Sequence, residues 1–259
     1  MDLGIAGEAA LVLGGTQGLT FSAAKHLSEA GVKLVVNSRS QANGEAAVAA
    51  LGGEAVFVAG DVSDPEALAD IHARSVEAFG PIAILVNNAG GPPPGEFMDH
   101  DAATWQKAFE TNLMAAVQMT RLVLPAMIER GWGRILNVTS FAVREPYPNL
   151  VLANSVRAGL HGAMSTLARE VAGKGITVNN VLPGLMDTGA LQRVYKARAA
   201  REGLTEDAVK ALMAESVPAK RLGEAEDFGP VCAFLCSRHA AYITAQNVTV
   251  DGGLVRALL

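Results

Sequence analysis

Cysteine is scarce in the 259-residue sequence: only Cys232 and Cys236 occur, four apart and with no histidine between or adjacent to them. That spacing stacks both on one helix face, so they read as buried apolar residues of a reducing compartment, with no metal site. A basic excess is absent too, because 21 Lys and Arg face 26 Asp and Glu for a formal net charge of -5. Such a balance offers no general attraction to a nucleic-acid backbone or an anionic membrane. No stretch approaches the roughly 18 apolar residues of a membrane span. The opening MDLGIAGEAALVLGG lacks the basic-then-apolar pattern of an export signal. The expectation is a cytoplasmic protein with no nucleic-acid and no membrane partner. Internal repeats, linkers and low-complexity segments are missing as well, so one domain over residues 1–259 is expected.

What the chain does have is apolar residue, half of its length, laid out as short runs between amphipathic segments. Runs at 10–13, 33–36, 55–58, 82–86, 134–138, 177–181 and 246–250 read as strands. Their continuous apolarity fits a parallel sheet covered on both faces. Helices are expected at 18–30, 41–51, 65–79, 102–129, 154–173, 205–214 and 224–236. Asp64-Pro65 supplies an N-cap and a proline at the first helical position, while Gly31, Gly52 and Gly80 close the first three helices. The fold class is therefore α/β, a single doubly wound Rossmann-type domain around a mostly parallel seven-stranded sheet. Ligands of such sheets bind beyond the carboxyl ends of the strands.

The loops at those ends are informative. Gly14-Gly15-Thr16-Gln17-Gly18-Leu19-Thr20 follows the first strand and leads into a helix. Glycines there let backbone approach a pyrophosphate whose charge the helix N-terminus favours, although a tight strand-to-helix turn has the same composition. Ser38-Arg39 follows the second strand; an acid would grip the 2′-hydroxyl of NAD, whereas Arg39 suits a 2′-phosphate. NADP(H) is thus favoured over NAD(H), with Arg39 as plain surface charge the alternative. After the third strand, the Asp61 carboxylate of Asp61-Val62 can accept the adenine amino group. Asn87-Asn88-Ala89-Gly90-Gly91 after the fourth pairs compact polar groups with glycine, where backbone would lie close to cofactor.

With these residues in place, the chain resembles the short-chain dehydrogenase/reductase family from residue 9 to about 253. The family's Thr-Gly-x-x-x-Gly-Ile-Gly motif falls on Leu13 to Thr20, keeping Gly14 and Gly18 and replacing the last glycine by Thr20. Asn87 to Gly90 matches the Asn-Asn-Ala-Gly signature, Pro183-Gly184 the Pro-Gly loop, and Val250 to Gly253 the closing motif. The resemblance implies contacts to cofactor from Thr16, Gln17, Leu19, Asn88, Ala89 and Gly90. It also implies a carboxamide contact from Thr188.

The same resemblance implies a tetrad of Asn, Ser, Tyr and Lys. Asn112 matches the first and would position a relay water; Ser140 matches the second and would bind the substrate oxygen. Thirteen residues beyond Ser140, where the tyrosine is expected, stands Ala153, and four further stands Arg157 in place of lysine. Ala153 has no proton to give. Arg157 can still hold ribose hydroxyls and positive charge, but a guanidinium does not readily release its proton. Tyr147 is the leading replacement donor, or else a loop aromatic packed between prolines. Tyr195 and His161 are further candidates, each with plain packing as its alternative. Arg144 and Glu145 either border the substrate or form an exposed pair. The altered stretch resembles a divergent branch named 3-oxoacyl-carrier-protein-reductase-like.

The expected function is an NADP(H)-preferring oxidoreductase for a small or medium carbonyl or alcohol, with an atypical proton source. A noncatalytic nicotinamide-binding protein is the alternative, and cofactor-assisted isomerisation or elimination a third. Residues 185–217 are expected to be a substrate lid. The segments 102–129 and 154–173 are expected to join copies into a homotetramer, or failing that a homodimer.

Overall fold

The computed structural model describes residues 1–258. Its strands are β1 (Ala9–Val12), β2 (Lys33–Ser38), β3 (Ala55–Ala59), β4 (Ile84–Asn87), β5 (Gly133–Val138), β6 (Ile176–Pro183) and β7 (Asn247–Val250). They form one seven-stranded sheet in the order β3-β2-β1-β4-β5-β6-β7, and every pairing is parallel. The order reverses direction between β1 and β4. Loops leaving these two strands part there and leave a crevice at their carboxyl ends.

Helices cover both faces: α1 (Gly18–Glu29), α2 (Gln41–Leu51), α3 (Pro65–Phe79), α4 (Ala102–Phe109), α5 (Ala115–Arg130), α6 (Val151–Val171), α7 (Gly189–Glu202), α8 (Glu206–Ser216) and α9 (Ala225–Leu235). Alternate residues of each strand enter opposite cores, as the period of two requires. Ala10, Val12, Leu34, Val36, Ile84 and Val86 pack beneath α1 and α9. Leu11, Val35, Leu85, Ile135 and Val178 pack against α3, α5 and α6. A third, smaller core joins Phe141 to Leu185, Tyr195, Val209 and Val217, seating α7 and α8 over the strand ends.

Local chemistry sets the helix starts. Ser40, Asp64, Asp101 and Thr205 each accept a backbone N–H from the first turn of the helix they precede. Two differences from the sequence expectation bear on the site. The continuous helix expected over 102–129 is α4 and α5 joined by a π-helical turn at Glu110–Met114. A π turn shifts the helical register without any residue signature that a 3.6-residue period detects. The helix expected from 154 begins at Val151, because Asn149 takes a left-handed conformation (φ 63) and completes the preceding loop early.

Asparagines run in register across four strands. Asn87 Nδ2 donates to Asn137 Oδ1 (2.9 Å), Asn137 Nδ2 to Asn180 Oδ1 (3.0 Å), and Asn180 Nδ2 to Asn247 Oδ1 (2.7 Å). This polar ladder ties β4 through β7 together just below the loops that carry the candidate site. Among the described residues, no helix is long and apolar enough to cross a membrane. Among the described residues, too, no group of three or more His, Cys, Asp or Glu is placed to hold a metal ion. Cys232 and Cys236 are buried free thiols, and burial pushes the Cys236 thiol up to about 12.

Candidate active site

A groove of about 600 Å³ opens at the β1/β4 divergence. Gly14, Thr16 and Gln17 line it from the first loop, Ser38 and Arg39 from the second, and Asp61 and Val62 from the third. Asn88, Ala89 and Gly90 complete its wall after β4. Ten sequence-expected cofactor residues thus converge on one groove. The glycine spacing has a steric cause: Gly14 takes φ +62, and a Cβ there would stand 2.5 Å from Asn88 Nδ2. Thr20, where the resembled motif has glycine, is buried and donates its hydroxyl to the Gly14 carbonyl at 2.7 Å. That bond closes the loop from within, so the third glycine is dispensable here.

Gly18 and Leu19 form the first turn of α1, which contains no acidic residue. Its amides are therefore free to favour an anion. The Thr188 methyl lies 4.0 Å from where a Gly18 Cβ would be, so Thr188 faces this turn from the start of α7. Pro183 and Gly184 lie at the end of β6 rather than in the groove wall; the Gly184 N–H donates to the Val250 carbonyl at 2.9 Å. At the outer end, Arg39 Nη1 stands 3.7 Å from Asp61 Oδ2. The Ser63 backbone N–H, donating to Asp61 Oδ1 at 2.9 Å, holds the Asp61 carboxyl below its ordinary value, helped by the charges of Arg39 and Lys107. Lys107 is a groove residue that sequence reasoning missed: its Nζ donates to Ser63 Oγ at 2.8 Å. Its only sequence signal is its position one helical turn before Thr111-Asn112.

The inner end holds the catalytic candidates. Ser140 is buried at the end of β5, where its Oγ accepts the Ala142 N–H at 3.2 Å and caps the short turn Phe141–Val143. Asn112 is buried in the π turn. Ala153 is buried on α6, and Arg157 follows one turn later on the same helix. Arg157 Nη1 donates to the Thr139 carbonyl at 2.7 Å, and its Nη2 lies 3.8 Å from where a Gly91 Cβ would be. Burial pushes its guanidinium down to about 10, which leaves it charged at neutral pH. Arg157, Asn112, Thr139 and Asn87 line a small recess of about 20 Å³. Asn87 Oδ1 is buried and unpaired beside it, in a space adequate for one water.

The replacement donors are placed differently. Tyr147 lies on the loop before α6, 37% exposed, with its ring edge-on to Phe141 at 5.3 Å. Asn154 Nδ2 fixes that loop by donating to the Tyr147 carbonyl at 3.0 Å. Tyr195 is buried and donates to Asp187 Oδ1 at 3.2 Å; burial, followed by the Asp187 charge, pushes its phenol up and makes it a poor acid. His161 does not fit the near-neutral relay considered from sequence. Burial first, then Arg144 and Arg157, hold it down to about 4, and its Nε2 is bound to Thr139 Oγ1 at 2.8 Å. Arg144 and Glu145 are not paired with each other. Arg144 Nη2 donates to the Asn247 carbonyl at 3.1 Å, and Glu145 accepts the Arg256 N–H at 3.0 Å.

Comparison with known proteins gives the class. Residues 14–255 match a family model described as enoyl-(acyl carrier protein) reductase. The chain is 36% identical over 253 residues to dehydrogenase/reductase SDR family member 4 of Homo sapiens, covering 96% of this chain and 88% of that one. It is 35% identical over 248 residues to a 3-oxoacyl-[acyl-carrier-protein] reductase of Haemophilus influenzae, covering 96% and 98%. Among solved structures it resembles L-sorbose reductase from Gluconobacter frateurii in complex with NADPH and L-sorbose, with TM-score 0.95, 30% identity and all of both chains covered. The chain belongs to the short-chain dehydrogenase/reductase family.

Proposed function

We propose that this protein is an NADP(H)-dependent oxidoreductase that transfers a hydride to or from a small or medium carbonyl or alcohol. The observation that carries this reading is the continuous groove with Arg39 at its outer end, whose glycine loop and Gly90-Gly91 segment lead inward to Arg157 beside Thr139-Ser140. The residues present fit the cofactor: the positive-φ glycines at 14 and 18 and the acid-free α1 terminus suit a pyrophosphate. Arg39 would hold the 2′-phosphate, Asp61 the adenine amino group, and Thr188 the carboxamide. NADPH supplies the hydride. NADH would lack the Arg39 contact and serve less well.

For the substrate, Ser140 Oγ donates to the carbonyl oxygen as negative charge develops there. Arg157 keeps that region positive without giving up its own proton. The proton that completes the alcohol comes from water or from Tyr147, whose ring packs against Phe141 next to Ser140, since Ala153 supplies none. This assignment places the chain in a divergent branch of its family that lacks the Tyr-x-x-x-Lys pair. The segment 185–217 acts as the lid of the same single domain, and α5 and α6 join copies into a homotetramer in the cytoplasm.

A carbonyl panel under saturating NADPH and NADH tests the reading. Cofactor consumption matched by product, faster with NADPH, is the expected result. Tight cofactor binding with no turnover across the panel would instead favour the noncatalytic reading that Ala153 motivates.

A further inference from the structure

Charge is sparse in the groove proposed for the cofactor. Of the described residues that line it, three are charged: Arg39, Asp61 and Lys107. Two cations against one carboxylate leave it a net +1. Each comes from a different element, Arg39 from the loop after β2, Asp61 from the loop after β3 and Lys107 from α4. A chain of contacts joins them across the outer end. Arg39 Nη1 stands 3.7 Å from Asp61 Oδ2, the Ser63 N–H donates to Asp61 Oδ1 at 2.9 Å, and Lys107 Nζ donates to Ser63 Oγ at 2.8 Å. Asp61 thus has a cation toward each of its oxygens, Arg39 directly and Lys107 through Ser63.

This placement bears on an electrostatic conflict within the site. The 2′-phosphate assigned to Arg39 brings about two negative charges to a side chain whose nearest acid is Asp61. An anion bonded to Arg39 falls within the roughly 10 Å screening length of the Asp61 carboxylate, and like charges at that range repel. Asp61 is held where it is by the Ser63 N–H, and its proposed contact with the adenine amino group requires it there. One guanidinium charge does not balance both anions. A second cation that engages Asp61 without competing for the phosphate relieves the conflict, and Lys107 has that position. Both Arg39 and Lys107 favour the ionised form of Asp61.

We propose that Lys107 is a determinant of cofactor choice: it offsets the Asp61 carboxylate from the α4 side, so that the charge of Arg39 is available to the 2′-phosphate of NADP(H). NADH makes no such demand, because it carries a hydroxyl at that position. Without Lys107 the groove would hold one cation and one anion, and the phosphate would meet an Arg39 already shared with Asp61. Lys107 is a positioning residue in this account, bonded to Ser63 rather than to the phosphate. The inference rests on the NADP(H) reading for the roles of Arg39 and Asp61, and binding alone tests it, without turnover.

Dissociation constants of NADPH and NADH are measured by fluorescence titration for wild type, Lys107→Met and Lys107→Arg, and for Lys107→Met combined with Asp61→Asn beside Asp61→Asn alone. Wild type should bind NADPH the more tightly. Lys107→Met should lower the NADH-to-NADPH ratio of dissociation constants by about 2- to 5-fold, the worth of one exposed charge pair. The fall should come from weaker NADPH binding, and Lys107→Arg should keep most of the wild-type ratio. In the Asp61→Asn background most of the fall should disappear, because no carboxylate remains to be offset. Raising the salt concentration should shrink the Lys107→Met effect as well. A ratio left unchanged by Lys107→Met, in a variant that still binds NADPH, would overturn the inference while leaving the oxidoreductase reading intact. An equal fall with and without the Asp61 carboxylate would do the same. Wild type that prefers NADH would overturn the inference and the NADP(H) reading together.

Discussion

The outer and inner halves of the groove have diverged to different degrees. Outside, the expected residues lie together along one groove: Gly14 sits against Asn88, Arg39 beside Asp61, and Gly18 opposite Thr188. The one loop substitution, Thr20 for glycine, is absorbed by its own hydrogen bond to Gly14. Inside, Ser140 and Asn112 lie at the end of β5 and in the π turn as expected, while Ala153 has no proton to give and Arg157 does not readily release its own. Binding a dinucleotide depends on backbone shape, which many sequences can build. Moving a proton depends on one group with one pKa, and its loss has no local substitute on α6. The contrast locates any novelty of this enzyme in its substrate and proton route rather than in its cofactor.

Breaking the inner half should have the largest effect. Ser140→Ala removes the donor to the developing oxyanion and should lower kcat/KM by about 10²- to 10³-fold with NADPH affinity kept; steady-state rates alongside a fluorescence titration separate the two. Breaking the outer half at its steric centre comes next. Gly14→Val must adopt φ +62 and push aside Asn88, and NADPH binding should weaken by about 100-fold. Arg39→Ala is milder, weakening NADPH about 10- to 100-fold while leaving NADH nearly unchanged, which the ratio of the two dissociation constants reports.

His161 gives a pH signature for the inner half. Its folded-state pKa of about 4 lies below the ordinary 6.5, so the unfolded chain takes up a proton first as pH falls. Stability should therefore drop between pH 6.5 and 4, by about 2 kcal/mol from pH 7 to pH 5. Urea unfolding of wild type and His161→Gln at the two pH values checks this, with the variant losing less. Smallest is the repair of the inner half. Ala153→Tyr restores a hydroxyl at a buried position one turn before Arg157, where the larger side chain must be accommodated, so any gain on a carbonyl should stay below about tenfold, against the 10²- to 10⁴-fold that a well-placed acid commonly contributes.

Legibility in the sequence followed the same division. Apolar runs such as Ala10-Leu11-Val12 announced the strands because both faces of a parallel sheet are buried. The glycine loop, Arg39, Asp61 and the Asn-Asn-Ala-Gly stretch were legible because backbone constraints leave residue signatures. The π turn at Glu110–Met114 was not, since it is a register shift without a marker residue. Lys107 was missed because its groove position depends on how α4 lies against the loop holding Ser63. The low imidazole pKa of His161 was equally hidden, for it comes from burial and from two arginines, Arg144 thirteen positions before Arg157 in the chain.

The central claim is that the inner site still transfers hydride without the tyrosine. The most direct test is a single-turnover reaction with NADPH carrying deuterium at C4 of the nicotinamide, using a panel of hydroxyketones, oxo acids and 3-oxoacyl thioesters, followed by mass analysis of the product. The account predicts deuterium on one face of the former carbonyl carbon, in amount equal to the NADP formed, and strongly reduced in Ser140→Ala. Protein fully loaded with the labelled cofactor that passes no deuterium to any member of the panel would contradict it.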